Sequence, residues 1–549
     1  IPAIITDFKK GQKAGLESNL SRVGAMTAAF LTFEDWDSSV ASLDRMAQVD
    51  KDDVVRVANK YFGRDYIAVA RLDEQHEVPP VEKPEIDPVN IDPTRQSQFA
   101  RDLLDMPYNE IEPTYVDMEN DFTVIEYAGG VDLYYSQNPL NDLFSFSIQI
   151  ELGSYEDKTL SMASSLLDKS GTADFSSDDI KKEWYKLGSN FRFGAGSNSS
   201  SFSISGLDEN FEATLELALK LATDPRVDAE TLETLKAIVL KSREDAKKSP
   251  GAIGQALSTY NRFQSESTFL RMLSSEEINA LSVDELLASV KNLLGYKQTL
   301  IYTGSLPVDE VVKIVRKHHP LSDTLKDTPP YRFQYTRDYD ETEIYFFDKE
   351  MAQAMVRIEF ADGNFDPKER INVSIYNSYF GGGMSGIVFQ ELREARALAY
   401  SAQALYRSGT RLNAENIAVG VIGCQADKTV EAVEAFLGLF DNLPETPERF
   451  NEATTSIANI YRTSKLGFRS VVGAVRNWER MGFDTDPRKE SFEMVQAAQI
   501  SDLMNFHANH IKGKPKLISI VGDKNKIDMD ALAKFGTITE IAIDDIFVK

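Results

Sequence analysis

The sequence predicts an α+β fold built from one repeated unit, an antiparallel-rich sheet packed with helices. Two observations carry that expectation. One local pattern recurs three times along the 549 residues, and two of its copies close segments in which alternating strands stand beside long amphipathic helices. Composition agrees: 42% hydrophobic and 27% charged residues suit a globular chain long enough for several full cores.

In its first copy the pattern runs from Val49-Asp50-Lys51 through a helix ending near Tyr61 into the apolar strand Ile67–Ala70. The second runs from Leu281-Ser282-Val283 through a helix to Leu300–Gly304. The third runs from Ile500-Ser501-Asp502 to Leu517–Gly522. The offsets Val54 to Val69, Leu286 to Ile301 and Leu503 to Ile518 are all fifteen residues. Each copy has a Ser or Asp before an acidic first turn, a combination that caps a helix and suits its dipole. Each therefore reads as a capped helix feeding a buried strand.

The second and third copies close units with alternating strands at Phe144–Ile150 and Met355–Phe360, and with amphipathic helices near Thr214–Thr223 and Thr429–Phe440. The first copy is preceded by too little chain for such a unit, so residues 1–76 are expected to be the C-terminal remnant of a truncated domain. Residues 77–117 carry prolines at 79, 80, 84, 88, 93, 107 and 113 and read as an extended linker. Residues 118–328 and 329–549 are then two complete units, divided near Thr328-Pro329-Pro330.

The 60 basic and 86 acidic residues give a net charge of −26, which argues against a nucleic-acid partner. No apolar run is long enough for a membrane span. The single cysteine, Cys424, lies in the run Ile417–Cys424 and reads as a buried strand residue; one cysteine makes no intrachain disulfide. His507 and His510 stand i, i+3 on the helix of the third copy without a third ligand at useful spacing, so an exposed helix face is expected there. His318-His319-Pro320 ends a helix, where the dipole favours histidine. His76 begins the linker. No phosphate-binding loop or activated nucleophile is recognisable.

The segment Tyr379–Tyr400, YFGGGMSGIVFQELREARALAY, carries the most chemistry. Gly381, Gly382 and Gly383 must end the preceding element. Ser385 is placed to cap a new helix with Ile387, Val388, Leu392 and Ala395 on its apolar face. Arg393 and Tyr400, seven apart, would share one side if that helix persisted. A guanidinium and a phenol beside a glycine turn suit a carbonyl or an anion, and equally an ordinary buried helix with a snorkelling arginine.

The order Gly-Gly-Gly-Met-Ser, Phe389-Gln-Glu-Leu-Arg393, Leu398-Ala-Tyr400 resembles a signature of the C-terminal half of the pitrilysin/insulinase (inverzincin) zinc metallopeptidases. Gly386 and Ile387 depart from it. The resemblance extends, more weakly, over nearly the whole chain. It implies half of a clamshell made of metallopeptidase-like domains, a degenerate third domain at 118–328, and a fourth at 329–549 carrying the motif. The Pro-rich segment takes the place of the inter-half linker. It also implies a peptide substrate that adds as a strand at a sheet edge, bound by Gly381, Gly382 and Gly383 and by Arg393 and Tyr400. The last two would also serve catalysis by stabilising the oxyanion.

Zinc belongs to the full-length protein in this reading. No H-x-x-E-H occurs here, and Met162–Thr172 resembles the motif region with every ligand replaced, so this chain is expected to bind no metal and to be inactive alone. An N-terminal peptidase half or an active partner subunit would supply the zinc and the general base. The alternative is a non-catalytic homologous subunit or scaffold partnering an active peptidase. A soluble compartment is expected, bacterial periplasm or cytoplasm, and the sequence does not choose between them.

Overall fold

The computed structural model describes residues 1–72, 96–322, 324–396 and 398–549, with the backbone alone at Ala395 and Tyr400. Two six-stranded sheets organise it. The first contains β1 (Thr123–Ala128), β2 (Val131–Gln137), β3 (Leu143–Ile150), β4 (Asn190–Ala195), β5 (Ser200–Leu207) and β6 (Thr299–Gly304), in the order β1-β2-β6-β3-β5-β4. The second contains β7 (Glu343–Asp348), β8 (Gln353–Asn364), β9 (Ala399–Arg407), β10 (Glu415–Gln425), β11 (Leu517–Gly522) and β12 (Thr537–Glu540), in the order β12-β7-β11-β8-β10-β9. Five strands correspond one for one. The pair β2–β6 and its counterpart β7–β11 are parallel, while the three pairings beyond them in each sheet are antiparallel. The fold is α+β, and the repeat seen in the sequence is a repeat of topology.

The capped helices behave as their sequence dictates. Val283–Leu293 leads into β6, with Ser282 accepting from the Glu285 N–H at 3.2 Å. Ile500–His510 leads into β11, and there the cap is Gln499, two residues before Ser501: Asp502 accepts from the N–H of Gln499 at 2.9 Å. Lys51–Tyr61 is capped by Asp50, which accepts from the Asp53 N–H at 2.9 Å. The first copy then departs from the other two. Residues 67–70 join no sheet among the described residues, and Ile67 and Val69 are exposed. Within the proline-rich stretch, residues 77–95 and His76 lie outside the described residues, and Gln98–Leu104 is a short helix capped by Ser97.

Each complete unit has its own core under one face of its sheet. In the first, Phe211 of helix Phe211–Thr223 meets Phe144 and Tyr302 edge-on at 4.9 and 5.1 Å between ring centres. In the second, Phe440 of helix Thr429–Asp441 meets Phe360 edge-on at 5.5 Å. Edge-to-face rings set the positive rim of one against the negative face of the other and add to the burial of apolar area.

The two units exchange helices. Pro250–Phe263, from the first, lays Ile253, Ala256 and Leu257 against Val521 of β11 and against Ile546 and Phe547. At its end Asn261 donates to the Ile518 carbonyl at 3.1 Å and to Ser519 Oγ at 3.2 Å. In return, Val471–Arg480 from the second unit crosses the first sheet, and Arg476 donates to Thr299 of β6 at 3.0 Å and to Gln149 of β3. Just ahead of that helix, Arg469 grips Glu17 with two bonds of 2.7 Å, tying in the N-terminal helices. That grip holds the Glu17 carboxyl below the usual carboxylate range.

The histidines have structural places. His507 is buried rather than exposed, its Nε2 2.7 Å from the Phe440 carbonyl, because helix Ile500–His510 packs that face into the core. His510 Nδ1 lies 2.7 Å from Asp362. The two face different partners. His319, 7% exposed, pairs its Nε2 with Gln298 Oε1 at 3.1 Å, and burial pushes its pKa down to about 4.

A neutral imidazole is thus favoured in the folded state, whereas the unfolded chain takes up a proton below about pH 6.5. His319 contributes nothing against folding above that pH and progressively destabilises the fold as pH falls toward about 4. Chemical denaturation across that range should show a loss of up to about 3 kcal/mol from this residue. His319→Gln should flatten that part of the profile.

Candidate functional site

Helix Arg370–Tyr376 runs into a π-helical turn, Asn377–Gly381, and the chain then reverses through a tight turn at Gly383–Ser385. One helical turn, Ile387–Phe389, leads into a second π-helical stretch, Gln390–Ala395, before β9 begins at Ala399. The glycines are needed for two different reasons. A Cβ on Gly381 would lie 1.9 Å from the Ala404 carbonyl oxygen, so the turn can press against β9 only without a side chain. Gly383 has open space around it but a φ of +62°, the left-handed region.

Ser385 does not cap the helix expected after it. It belongs to the tight turn, and Gly386 rather than a capping side chain precedes Ile387. The turn is held instead from outside, by Arg449 Nη1 donating to the Ser385 carbonyl and Gln390 Nε2 to that of Met384. Ile387, Val388 and Leu392 are buried as the apolar spacing requires.

Arg393 projects from the second π-helical stretch. Its guanidinium carbon lies 4.6 Å from the centre of the Phe389 ring, one turn back, and its Nε lies 3.5 Å from the Glu394 carboxylate. The side chain is 37% exposed, a cation lying over an aromatic face and reachable from solvent.

The helix does not persist to Tyr400. The Leu398 N–H bonds back to the Leu392 carbonyl at 3.0 Å and closes it, so helical spacing does not relate Arg393 to Tyr400. Tyr400 stands in β9 at a break in register. Ser401 pairs with Gly423 and Ala399 with Cys424, leaving Tyr400 as the extra residue of a β-bulge.

β9 is the outermost strand of its sheet. Its far end is already closed, because the Asn377 amide accepts from the Tyr406 N–H at 2.7 Å and donates to the Tyr406 carbonyl at 2.8 Å. Asn377 and Arg449 escaped the sequence reading because their partners lie 29 and 64 residues away.

The glycine turn, Arg393 and Tyr400 all fall within residues 281–456, which match the family model described as the peptidase M16 inactive domain. That stretch of the chain matches the M16 inactive domain, as the C-terminal half of a pitrilysin-like protein would. An uncharacterized zinc protease of Streptomyces coelicolor is 22% identical over 280 residues, which are 49% of this chain and 60% of that protein. The chain thus spans about 60% of the length of that curated relative.

Among crystal structures, the M16 inactive domain from Pseudomonas fluorescens is similar at a TM-score of 0.60 and 16% identity, over 74% of this chain and 98% of that one. The periplasmic protease PqqL from Escherichia coli is similar at 0.59 and 12% identity, over 87% of this chain and 51% of its own. The ferredoxin protease FusC, solved as a mutant with Arabidopsis ferredoxin, is similar at 0.59 and 12% identity, over 92% and 58%. These likenesses establish the fold.

The Streptomyces relative is described as a zinc protease. The residues here do not fit zinc. In the motif-like segment, Met162 and Leu166 are buried apolar side chains on helix Leu160–Leu167, and neither supplies the imidazole, thiolate or carboxylate that holds zinc. Among the described residues, no group of three or more His, Cys, Asp or Glu is placed to hold a metal ion. No described helix is long and apolar enough to cross a membrane.

The glycine turn makes a stability prediction. Gly381→Ala forces backbone apart and should lower stability by about 2 kcal/mol or more, as overpacking does. Gly383→Ala meets nothing and should cost about 1 kcal/mol for its dihedral alone. Thermal or urea unfolding of the two variants should rank them in that order.

Proposed function

We propose that this chain is the substrate-binding C-terminal half of a zinc-dependent endopeptidase that cleaves peptides inside a closed chamber. The zinc ligands and the general base belong to a catalytic half outside this sequence. The observation that carries the reading is a half-exposed Arg393 on the π-helical stretch that follows the glycine turn, shortly before the edge strand β9.

An extended peptide would run along that edge beside Gly381–Gly383, read through its backbone more than its side chains. Arg393 would hold a peptide carbonyl, and Tyr400 would donate to the oxygen on which negative charge develops during hydrolysis. Donors fixed in advance where charge appears lower the barrier most when closure has removed water.

The N-terminal helices support the need for a further half. Phe33 is 96% exposed, Ile67 92% and Phe62 86%, and helix Lys51–Tyr61 has no buried residue at all. Apolar area of that kind calls for a covering partner. A non-catalytic subunit paired with an active peptidase would need the same cover, so the test lies in the chemistry. With the catalytic half supplied, Tyr400→Phe should lower turnover by about tenfold or more with KM little changed, as loss of an oxyanion donor does. Arg393→Ala should raise KM. Wild-type kinetics in both variants would leave the scaffold reading.

A further inference from the structure

A cavity of about 430 Å³ opens in the first unit between helix Leu160–Leu167, helix Ala229–Ala246 and the segment 268–273. Met162 and Ser165 of the motif-like segment line it, so the place where a metal motif would stand has become a pocket. Met162, Phe269 and Leu273 supply apolar surface, set among serine and threonine hydroxyls. Its charged lining residues are Lys158, Arg243 and Arg271, with no carboxylate among them, in a chain whose net charge is −26.

The three cations are only partly satisfied from within. Arg243 donates through Nη1 to the Leu273 carbonyl, while its buried Nε finds no acceptor. Arg271 donates to the Glu266 carboxylate at 2.6 Å and to the Tyr155 carbonyl at 3.4 Å, and it shares that single acid with Arg332. Lys158 is exposed among the lining residues. A positive, largely apolar hollow of this size repels a metal cation and suits an organic anion, because a carboxylate gains charge-assisted hydrogen bonds while its apolar part leaves water.

We propose that this cavity binds a carboxylate borne on an apolar body. Two sources share that chemistry: a free medium-chain or aromatic acid, and the terminal carboxylate of a peptide ending in an apolar residue. Binding here requires neither zinc nor a catalytic half, so its failure would leave the proposed peptidase role untouched.

Isothermal titration of the full chain with decanoate, decanamide, a short peptide ending in a free Phe carboxylate and the same peptide amidated tests the assignment. At least one acid should bind saturably and about tenfold or more tighter than its amide, and added salt should weaken it. The tighter acid identifies the source. Lys158→Gln and Arg243→Met should each weaken that acid several-fold. Ser165→Trp, which fills the hollow, should abolish binding at an unchanged melting temperature. Since Arg243 also anchors the Leu273 carbonyl, Lys158→Gln and Ser165→Trp decide the matter if Arg243→Met fails to fold. Equal binding of acid and amide, no binding by either acid, or wild-type binding in folded Ser165→Trp would overturn the proposal.

Discussion

The exchange of helices between the two sheets fixes how everything else is placed. Each unit sends one helix out of its own core to lie on its neighbour's sheet, Pro250–Phe263 in one direction and Val471–Arg480 in the other. Leu257, at 0% exposure, is buried in a cluster to which a strand end and a C-terminal segment of the other unit contribute. Polar groups at both crossings are matched as well: Asn261 with the β11 backbone, Arg262 toward Glu359 and Glu415, Arg480 with Glu151. Removing one partner from such a buried set strands the other without water or a mate, so the junction resists separation into units.

That rigidity gives the candidate site its footing. Arg393 and β9 hang on the outer side of the second sheet, where turns of wider helical gauge replace a continuous helix. A π-helical turn misaligns backbone donors and acceptors and needs external support. Asn377, within the first of these turns, ties it to β9, and Arg449 holds the turn that follows. The Asn377 bonds also occupy the outer edge of β9 at Tyr406, which limits pairing there.

The pocket in the first unit shows what the repeat has become where metal ligands are missing. Met162 and Leu166 are buried there, and the charged residues that line the pocket are cationic. Two units of one topology thus present different surfaces, an exposed arginine on an edge turn in one and a cationic hollow in the other.

Patterns that repeat at close range were legible in the sequence. Capped helices at fixed offsets from apolar strands announced the two units. The alternation at Phe144–Ile150 and Met355–Phe360 located two central strands, because N-caps and side-chain alternation act within a few residues. The glycine run marked the turn, and its motif lies within the stretch that matches the M16 inactive domain. The sequence alone misjudged features that depend on distant partners. Helical spacing joined Arg393 to Tyr400, whereas the Leu392 carbonyl and the ladder to β10 ended the helix and put Tyr400 in a bulge. Residues 67–70 have strand composition but no strand to pair with among the described residues. His507 looked exposed on its own helix and is buried by the core packed around it. Local chemistry determined which elements form and where they begin. Which edge stays open, which histidine is covered and which helix crosses to the other sheet were decided by tertiary packing, because those outcomes depend on groups far apart in the chain.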